Sequence, residues 1–412
     1  MIDPALHDSI QAYLEENLDR YLAVLKDWVG INSFTTNAAG VNALAAATEA
    51  QFAALGFRAE RVPSVTPGFG DHLVLTRKGS SGPEIGLVSH LDTVFPPEEE
   101  TANSFAWRVD GDRIFGPGTV DIKGGTLIIF MLLEALQAFR ADLFERVSWT
   151  ILLDASEETL SEDFGLLCND RLNGAAACLV FEGGFYEAGV FKLVHRRKGM
   201  AKYRIRVTGR AAHAGAAHAD GTNAIVGLSE VIGRVAAFTD YEKEITFNVG
   251  FVSGGTVTNR VPHSAEALGE MRAFDEDIFL AGLEKLTDLE AAGVAAANGS
   301  HCQVKVDILD TTPPWPANER TEGLLETWIR TAEALGFLII PEARGGLSDG
   351  NHTWSRIPTL DGLGAGGGNA HCSEQVPDRG KEQEYLYLPS LIPKTILNIF
   401  AIIELVEDEV GG

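Results

Sequence analysis

Five short segments of the 412-residue chain end an apolar run or a glycine-rich turn with a histidine or an acid. Imidazole and carboxylate groups suit zinc, manganese and cobalt, and a shared carboxylate can hold two such ions about 3.5–4 Å apart. Together the segments supply two histidines and three carboxylates. They predict a dinuclear metal site with the expected ligands His90, Asp121, Glu158, Glu182 and His371.

Each segment also has a plain structural interpretation. His90 begins a His-x-Asp pattern in which Asp92 could orient the imidazole, although this pattern alone is weak. Asp121 lies in a glycine-rich turn before an apolar helix, where it could bridge two cations or merely cap that helix. Glu157 and Glu158 follow a core strand but could form a solvated acidic loop. The joint occurrence of the segments favours the metal site.

The adjacent acids Glu157 and Glu158 could have different roles. Neighbouring side chains point in different directions, so Glu158 can bind metal while Glu157 faces the water between the ions. Two cations lower the pKa of that water and polarise a carbonyl, and a free carboxylate must carry the proton to the leaving amine. Glu157 is therefore the candidate base.

The order of elements explains how these segments could meet. Up to about residue 199, helical periodicity alternates with β-rich runs, as in an α/β layer around a largely parallel sheet. Ligands of such sheets bind beyond the carboxyl ends of the strands. From residue 200 the order becomes βαββαβ, which indicates a ferredoxin-like sandwich. A proline-rich bend at residues 311–316 then restores helix–strand alternation.

Composition narrows the functional classes. With 33 basic and 58 acidic residues the formal charge is -25, which argues against binding nucleic acid or anionic lipid. The longest apolar run, residues 127–133, is far shorter than the roughly 20 residues of a spanning helix, so no membrane span is expected. The N-terminus lacks a signal pattern, which predicts a cytoplasmic location. Four scattered cysteines indicate reduced thiols.

Five motifs resemble, in order and spacing, the glutamate carboxypeptidase, acetylornithine deacetylase and succinyl-diaminopimelate desuccinylase family of dinuclear metallopeptidases. They are Ser-His-Leu-Asp-Thr, Gly-Pro-Gly-x-x-Asp-x-Lys-Gly-Gly, Glu-Glu, Phe-Glu and Ala-His-Cys. The likeness covers nearly the whole chain. It is strongest toward the bacterial glutamate carboxypeptidase branch, to which residues 209–215 and 345–350 are also similar.

The resemblance implies how the ligands divide between two ions. His90 and Glu182 would hold one ion, Glu158 and His371 would hold the other, and Asp121 would bridge them. Two divalent ions per subunit are implied, with zinc expected first and manganese or cobalt as alternatives. The resemblance further matches Glu157 to the general base and Asp92 to the acid that orients the histidine, and it implies a cis peptide between Asp121 and Ile122.

The resemblance also implies residues that contact substrate. His213 matches a histidine that family dimers reach across to the partner's active site to stabilise the oxyanion, although alone it reads as an exposed loop histidine. Asn259, Arg272 and Arg344 match positions that contact the α-carboxylate or carbonyl, a task that suits the planar guanidinium. Arg272 could instead pair with Glu270, where the family usually has aspartate.

These features predict a metal-dependent hydrolase that cleaves a peptide or N-acyl amide bond next to a free α-carboxylate. It would resemble a glutamate carboxypeptidase and use a metal-bridging hydroxide with Glu157 as general base. The expected partner is a small peptide or N-acyl amino acid. Two alternatives stay open: an N-acyl-amino-acid deacylase of the same family, and a non-catalytic binding protein that keeps the fold.

The element pattern and the resemblance together predict an α/β fold. A phosphorylase/hydrolase-like three-layer catalytic domain would comprise residues 1–199 and 313–412. The inserted ferredoxin-like (α+β) domain, residues 200–312, would close over substrate as a lid and pair with its twin in a homodimer.

Overall fold

The computed structural model describes residues 2–159, 162–295, 299–376 and 380–411. Its helices are α1 (Pro4–Glu16), α2 (Leu18–Val29), α3 (Ala38–Ala53), α4 (Pro97–Ala102), α5 (Gly124–Phe139), α6 (Ala141–Arg146), α7 (Glu162–Arg171), α8 (Ala224–Ala236), α9 (Glu276–Ala292), α10 (Glu319–Ala334), α11 (Gly350–Thr353) and α12 (Leu391–Gly411). Its strands are β1 (Arg58–Pro63), β2 (Asp71–Arg77), β3 (Glu84–His90), β4 (Arg108–Asp110), β5 (Arg113–Phe115), β6 (Ser148–Asp154), β7 (Ala177–Val180), β8 (Phe185–Glu187), β9 (Val190–Arg197), β10 (Gly199–Thr208), β11 (Thr246–Gly254), β12 (Ser264–Ala273), β13 (Val294–Ala295), β14 (His301–Thr312), β15 (Leu338–Arg344), β16 (Thr359–Leu360), β17 (Gly367–Gly368) and β18 (Tyr385–Tyr387).

The larger of two compact units comprises Met1–His195, Ala317–Ala343 and Ser348–Gly412. Its main sheet has six strands in the order β1-β2-β6-β3-β7-β16. β6, β3, β7 and β16 run parallel to their neighbours within this group, whereas β2 is antiparallel to both β1 and β6. The largely parallel sheet expected from the sequence is therefore present, with an antiparallel pair at one edge.

The central strands contribute to two separate cores. Leu87 of β3 and Ile151 of β6 pack in the core that contains α5 and α12. Their neighbours Val88 and Leu152 pack in the core that contains α7. Because successive side chains point to opposite faces, the strands are apolar throughout and are covered by helices on both sides. The expected three-layer α/β architecture is confirmed.

Two helical segments are long and apolar enough to cross a membrane by length and composition, Thr119–Phe139 and Leu388–Asp408. In each, 78% of the most apolar window is buried inside the protein. Leu132 and Leu397, one from each segment, belong to the main hydrophobic core. Packing around the sheet thus accounts for their apolarity.

The smaller unit comprises Arg196–Pro316 and Arg344–Leu347. Its antiparallel sheet has the order β11-β12-β10-β14-β13, and residues of α8 and α9 share one core with it. Asn223 and Asp275 cap these helices, since their side chains accept main-chain N–H groups of the first turn. The order β10-α8-β11-β12-α9-β14 confirms the ferredoxin-like pattern, with the two-residue β13 added.

The boundary between the units differs from the predicted one. The prediction assigned residues 313–412 entirely to the larger domain, but Arg344–Leu347 groups with the smaller unit. Arg197 donates to two carbonyl groups of this segment, and Arg272 donates to a third. The sequence pattern could not show this, because these contacts join residues far apart in the chain.

The turn before α5 departs from ordinary helical geometry. Thr119–Lys123 forms a turn that is closed by a hydrogen bond from the Lys123 N–H to the Gly118 carbonyl (2.8 Å), and neither Asp121 (φ -122°, ψ 86°) nor Ile122 has helical backbone angles. The peptide between them is cis, as the resemblance implied. The N-cap position of α5 is occupied by Lys123, without a side-chain capping bond. The alternative in which Asp121 serves as the helix cap is therefore not what the structure shows.

Candidate active site

Three neighbouring parallel strands end at the same edge of the main sheet. β3 ends at His90, which pairs in register with Asp154 at the end of β6. Glu157 and Glu158 lie in a short turn after β6, and Glu182 follows the end of β7. The apolar strands thus deliver an imidazole and several carboxylates to one edge, where open α/β sheets bind their ligands.

The Asp121 carboxylate lies between the two predicted histidine ligands. Its Oδ1 is 3.1 Å from His90 Nε2, and its Oδ2 is 3.3 Å from His371 Nε2. His90 Nε2 is also 3.8 Å from Glu182 Oε1, and His371 Nε2 is 3.0 Å from Glu158 Oε2. The structure therefore brings all five predicted ligands together, in the pairing that the resemblance implied.

Glu157 shares this site. One ligand atom from each of His90, Glu157 and Glu182 lies within 4.8 Å of the others, and the same is true of His90, Asp121 and Glu158. The Glu157 carboxylate is thus close to the predicted metal ligands without being needed to complete either pair. A carboxylate at this distance can accept a proton at the site, as the sequence predicted for Glu157, or can itself bind a cation.

Asp92 contacts both His90 and the turn that carries the candidate base. His90 Nδ1 donates to the main-chain carbonyl of Asp92 at 3.0 Å, while the Asp92 carboxylate is farther away, at 3.4 Å. That carboxylate accepts the main-chain N–H groups of Glu157 (3.1 Å) and Glu158 (3.3 Å), and the Thr35 hydroxyl (2.6 Å). Asp92 therefore orients the imidazole mainly through its carbonyl and fixes the acidic turn through its carboxylate.

The electrostatics of the site favour bound cations. Burial, followed by the charge of Glu182, raises the pKa of Glu157 well above its usual range. Burial and the charge of Asp121 raise the pKa of Glu158 to about 6 despite its hydrogen bond to His371. Hydrogen bonds to Asp121 and Glu158 raise the pKa of His371 to about 10. Divalent cations would compete with these protons and stabilise the ionised carboxylates.

The donor set fits two divalent ions. Two imidazoles and three carboxylates form a mixed nitrogen and oxygen set of the kind that zinc, manganese and cobalt accept. The two oxygens of Asp121 face different histidines, as a bridging carboxylate must. The residues of this site therefore match the dinuclear centre expected from the sequence.

Two buried acids near the site were not identified from the sequence. Asp349 is 4% exposed, and burial together with the charge of Asp154 raises its pKa well above the usual range. The sequence feature that could have identified Asp349 is its place in the motif of residues 345–350. Glu384 is 0% exposed and accepts main-chain N–H groups at the Asp121 turn. No sequence feature identified Glu384, because it follows a polar stretch of the kind expected at the protein surface.

Residues 346–350 also have the Gly-x-Ser-x-Gly spacing of a nucleophile elbow. The Ser348 side chain is buried, and its hydroxyl donates to Asp361 Oδ2 at 2.8 Å. Its Oγ also accepts the Gly350 N–H at 3.2 Å. The hydroxyl stabilises its own loop, so this spacing does not indicate a serine nucleophile.

The predicted oxyanion residue His213 belongs to the smaller unit, as does Asn259. His213 is exposed, and its Nδ1 accepts the N–H groups of Gly215 and Ala216, both at 3.1 Å. Since an N–H can only donate, the neutral ring carries its proton on Nε2. Ala214 N–H donates to the Asn259 carbonyl at 2.9 Å, which places the two predicted residues in adjacent loops.

The predicted carboxylate-binding arginines also lie in the smaller unit. Both oxygens of Glu270 accept hydrogen bonds from Arg272, at 3.0 and 3.3 Å. Arg272 also donates to the Gly345 carbonyl at 2.8 Å, beside the half-buried Arg344. The pairing with Glu270 that the sequence left open is therefore the arrangement observed.

Comparisons with known proteins identify the family of this chain. The model of Peptidase family M20/M25/M40 matches residues 86–378, a range that contains all five predicted metal ligands. Carboxypeptidase G2 of Pseudomonas sp. (strain RS-16) is 30% identical over 355 residues, which cover 86% of this chain and 83% of that protein.

Solved structures show the same fold. Aminopeptidase PepT from Bacillus cereus matches with a TM-score of 0.75 at 22% identity, over 94% of this chain and 98% of that chain. The Bacillus subtilis YXEP protein, a dinuclear metal-binding peptidase, matches with a TM-score of 0.65 at 16% identity, over 98% and 99% of the two chains. The chain therefore belongs to peptidase family M20/M25/M40, which includes dinuclear metal-binding peptidases, and it is a hydrolytic enzyme.

Proposed function

We propose that this enzyme is a metal-dependent hydrolase of the carboxypeptidase type, which cleaves a peptide or N-acyl amide bond next to a free α-carboxylate. The observation that carries the proposal is the Asp121 carboxylate, whose two oxygens face His90 and His371, with Glu157 close by. The 30% identity to carboxypeptidase G2 supports a reaction of this type.

Five residues would hold the two ions. His90 and Glu182 would bind one, His371 and Glu158 would bind the other, and Asp121 would contact both. When bound, two divalent cations polarise the scissile carbonyl and lower the pKa of an attacking water. We propose zinc as the metal, since imidazole and carboxylate ligands suit it.

The protein's own groups then move the proton. Glu157 accepts a proton from the attacking water and delivers it to the leaving nitrogen. The Asp92 carboxylate holds the main-chain N–H of Glu157 at 3.1 Å and so fixes the base. The Asp92 carbonyl accepts from His90 Nδ1 at 3.0 Å, which leaves Nε2 as the ligating nitrogen.

Substrate recognition would use residues of the smaller unit. We propose that the Nε2–H of His213 donates to the developing oxyanion, which its tautomer permits. We propose that Asn259 binds the scissile carbonyl and that Arg272 and Arg344 bind the α-carboxylate. With a chain charge of -25, an acidic substrate would be repelled without such local cations. A substrate carboxylate would compete with Glu270 for Arg272.

We also propose a homodimer formed through the smaller unit. Its edge strand β11 carries the exposed side chains of Phe251 and Val252. Ile225 and Val226 of α8 are exposed as well. Among the described residues no strand pairs with the outer side of β11. An edge strand with apolar side chains is a natural surface for a second copy, since pairing satisfies its backbone groups and removes the apolar area from water.

A cytoplasmic location completes the proposal. Four free cysteines, three of them buried, are consistent with a reducing compartment. Fractionation of cells that express the tagged full-length protein would test this.

The reaction is tested with purified enzyme loaded with zinc, manganese or cobalt. We expect hydrolysis of folyl- or peptidyl-glutamate and little hydrolysis of the same substrates with an amidated C-terminus. Glu157→Gln should lower kcat by about 10²- to 10⁴-fold with unchanged metal content, because only the proton transfer is lost. Glu326→Gln, an exposed acid on α10, is the matched control.

Two outcomes would contradict the proposal. Near wild-type turnover by Glu157→Gln would exclude Glu157 as the base. A higher kcat/KM on N-acetyl or long-chain N-acyl amino acids than on peptidyl-glutamate would contradict the carboxypeptidase type and identify the enzyme as an N-acyl-amino-acid deacylase that uses the same site.

A further inference from the structure

Glu384 is a fully buried acid that contacts the turn carrying Asp121. Its Oε1 accepts the main-chain N–H groups of Val120 at 3.0 Å and Asp121 at 3.2 Å. Both groups lie in the turn Thr119–Lys123, where the backbone is not helical at Asp121. Buried N–H groups need an acceptor wherever regular helical bonding is interrupted. One carboxylate oxygen therefore fixes the backbone on which the proposed bridging ligand stands.

The main chain of Glu384 also holds the loop that carries His371. The Glu384 N–H donates to the Cys372 carbonyl at 2.7 Å, and the side chain of Gln383 donates to the Ser373 carbonyl at 3.0 Å. His371 has a φ of +65°, a left-handed conformation that is uncommon for a residue with a side chain. Such a conformation persists only when its surroundings hold it. Glu384 thus joins the segments that carry two of the five proposed ligands.

The second oxygen of Glu384 shows that packing alone does not explain why a carboxyl group occupies this buried position. Oε2 is buried and has no hydrogen-bond partner within the part of the chain that the structure describes. Leaving a buried polar atom unsatisfied costs free energy, and an apolar side chain would avoid that cost. An apolar residue could not make the hydrogen bonds that Oε1 accepts, so these bonds are the reason that a carboxyl group is needed here.

We propose that Glu384 is a positioning residue of the dinuclear site, which holds Asp121 and His371 at the separation that two shared metal ions require. The proposal rests on the ligand set proposed above. Residues that orient metal ligands typically contribute about 10- to 100-fold to metal affinity. Removal of the Glu384 side chain should weaken metal binding by a factor in this range.

The test is a titration of Co²⁺ into the metal-stripped full-length protein, followed by calorimetry and by the visible absorption of bound Co²⁺. Glu384→Ala should bind Co²⁺ about 10- to 100-fold more weakly, with an altered spectrum. Glu384→Gln should restore both, because the amide keeps Oε1 as acceptor and its NH₂ replaces an oxygen that has no partner within the described residues. Glu382→Ala, a partly exposed acid paired with Arg113, should behave as wild type.

Wild-type affinity and spectrum in Glu384→Ala would overturn the proposal. An equal loss in the Ala and Gln variants would also overturn it, since charge rather than hydrogen bonding would then matter. If circular dichroism shows that Glu384→Ala does not fold, Glu384→Asp replaces it. Its shorter side chain keeps the carboxyl group but cannot reach both N–H groups, so weaker binding is expected and wild-type binding would contradict the role.

A separate variant distinguishes this proposal from the ligand set. Asp121→Ala should lose at least one of the two Co²⁺ ions. If it still binds two, the proposed ligand set is wrong, whatever Glu384 does. If it loses an ion while Glu384→Ala binds as wild type, the ligand set stands and only the positioning role fails.

Discussion

The carboxylate of Asp121 has two acceptor oxygens that face different histidines, at 3.1 and 3.3 Å. Asparagine keeps the shape but has one acceptor oxygen and no charge. We therefore expect Asp121→Asn to retain at most one tightly bound ion after dialysis, measured by elemental analysis, and to lose about 100-fold or more in activity. Asp170→Asn, on the exposed surface of α7, is the control. Two retained ions would show that Asp121 is not shared.

The proposed role of the two arginines of the smaller unit leads to a prediction about substrate binding. A hydrogen-bonded charge contributes about 1.5–3 kcal/mol, which corresponds to about 10- to 100-fold in binding. Arg344→Ala and Arg272→Ala should therefore raise KM by such a factor for substrates with a free α-carboxylate. Substrates with an amidated C-terminus should be unaffected, because they lack the group that the arginines bind. Equal effects on both substrates would indicate that the arginines act on structure.

At the scale of elements, His72 of β2 connects two other parts of the larger unit. Its Nε2 is 3.1 Å from Asp163 of α7, and its Nδ1 accepts the N–H of Ala155, after β6, at 3.1 Å. Asp163 also accepts the Val65 N–H at 2.8 Å. Burial raises the pKa of Asp163, but the hydrogen bonds from Val65 and His72 outweigh it, so the pKa is lowered.

A lowered pKa in the folded state makes the stabilisation depend on pH. The ionised Asp163 stabilises the fold above its unfolded pKa of about 3.9, and this contribution is lost as the pH falls through the lower folded value. Asp163→Asn should lower the free energy of unfolding by about 1–3 kcal/mol at pH 7, and the difference from wild type should shrink below about pH 4. Urea unfolding of the metal-stripped proteins measures this. A difference that keeps growing as the pH falls below about 4 would contradict it.

The elements that carry the site were the most predictable part of the fold. Strands expected at residues 85–89 and 147–153 are Glu84–His90 and Ser148–Asp154. Buried parallel strands are continuous apolar runs, so the polar residues that end them are conspicuous in the sequence. Strand ends therefore indicated the proposed ligands His90, Glu158 and Glu182 in the sequence.

Contacts between distant segments could not be predicted in this way. Glu384 and Asp349 are buried acids whose environment comes from segments far away in the chain. Local sequence shows an acid but not whether tertiary packing encloses it. For the same reason, the sequence could not predict the hydrogen bonds between the Asp92 carboxylate and the turn after β6. Motif resemblance predicted a role for Asp92 but could not show which groups its carboxylate contacts.

For the whole molecule, the exposed edge of β11 predicts the oligomeric state. Phe251 and Val252 are 52% and 53% exposed. The double substitution of both residues by lysine should convert a dimer into a 44.3 kDa monomer, because it places charge where apolar contacts would be buried. Light scattering after gel filtration measures the mass. Val65→Lys, at an exposed position in the larger unit, is the control, and a monomeric wild type would contradict the dimer.

If His213 completes the active site of the partner subunit, activity should be recoverable from two inactive variants. In a mixed dimer of His213→Ala and Glu157→Ala, one of the two sites has both an intact Glu157 and a His213 from the other chain. Random exchange makes about half of the dimers mixed, each with one complete site of two, so about a quarter of wild-type activity is expected.

The control replaces the Glu157→Ala subunit by the double variant Glu157→Ala, His213→Ala, which cannot supply the missing histidine. This mixture should stay inactive. Native mass spectrometry of differently tagged chains establishes whether mixed dimers have formed. Mixed dimers without recovered activity would show that His213 does not act across the subunit interface, and equal recovery in the control would show that subunit exchange itself, rather than the histidine, restores turnover.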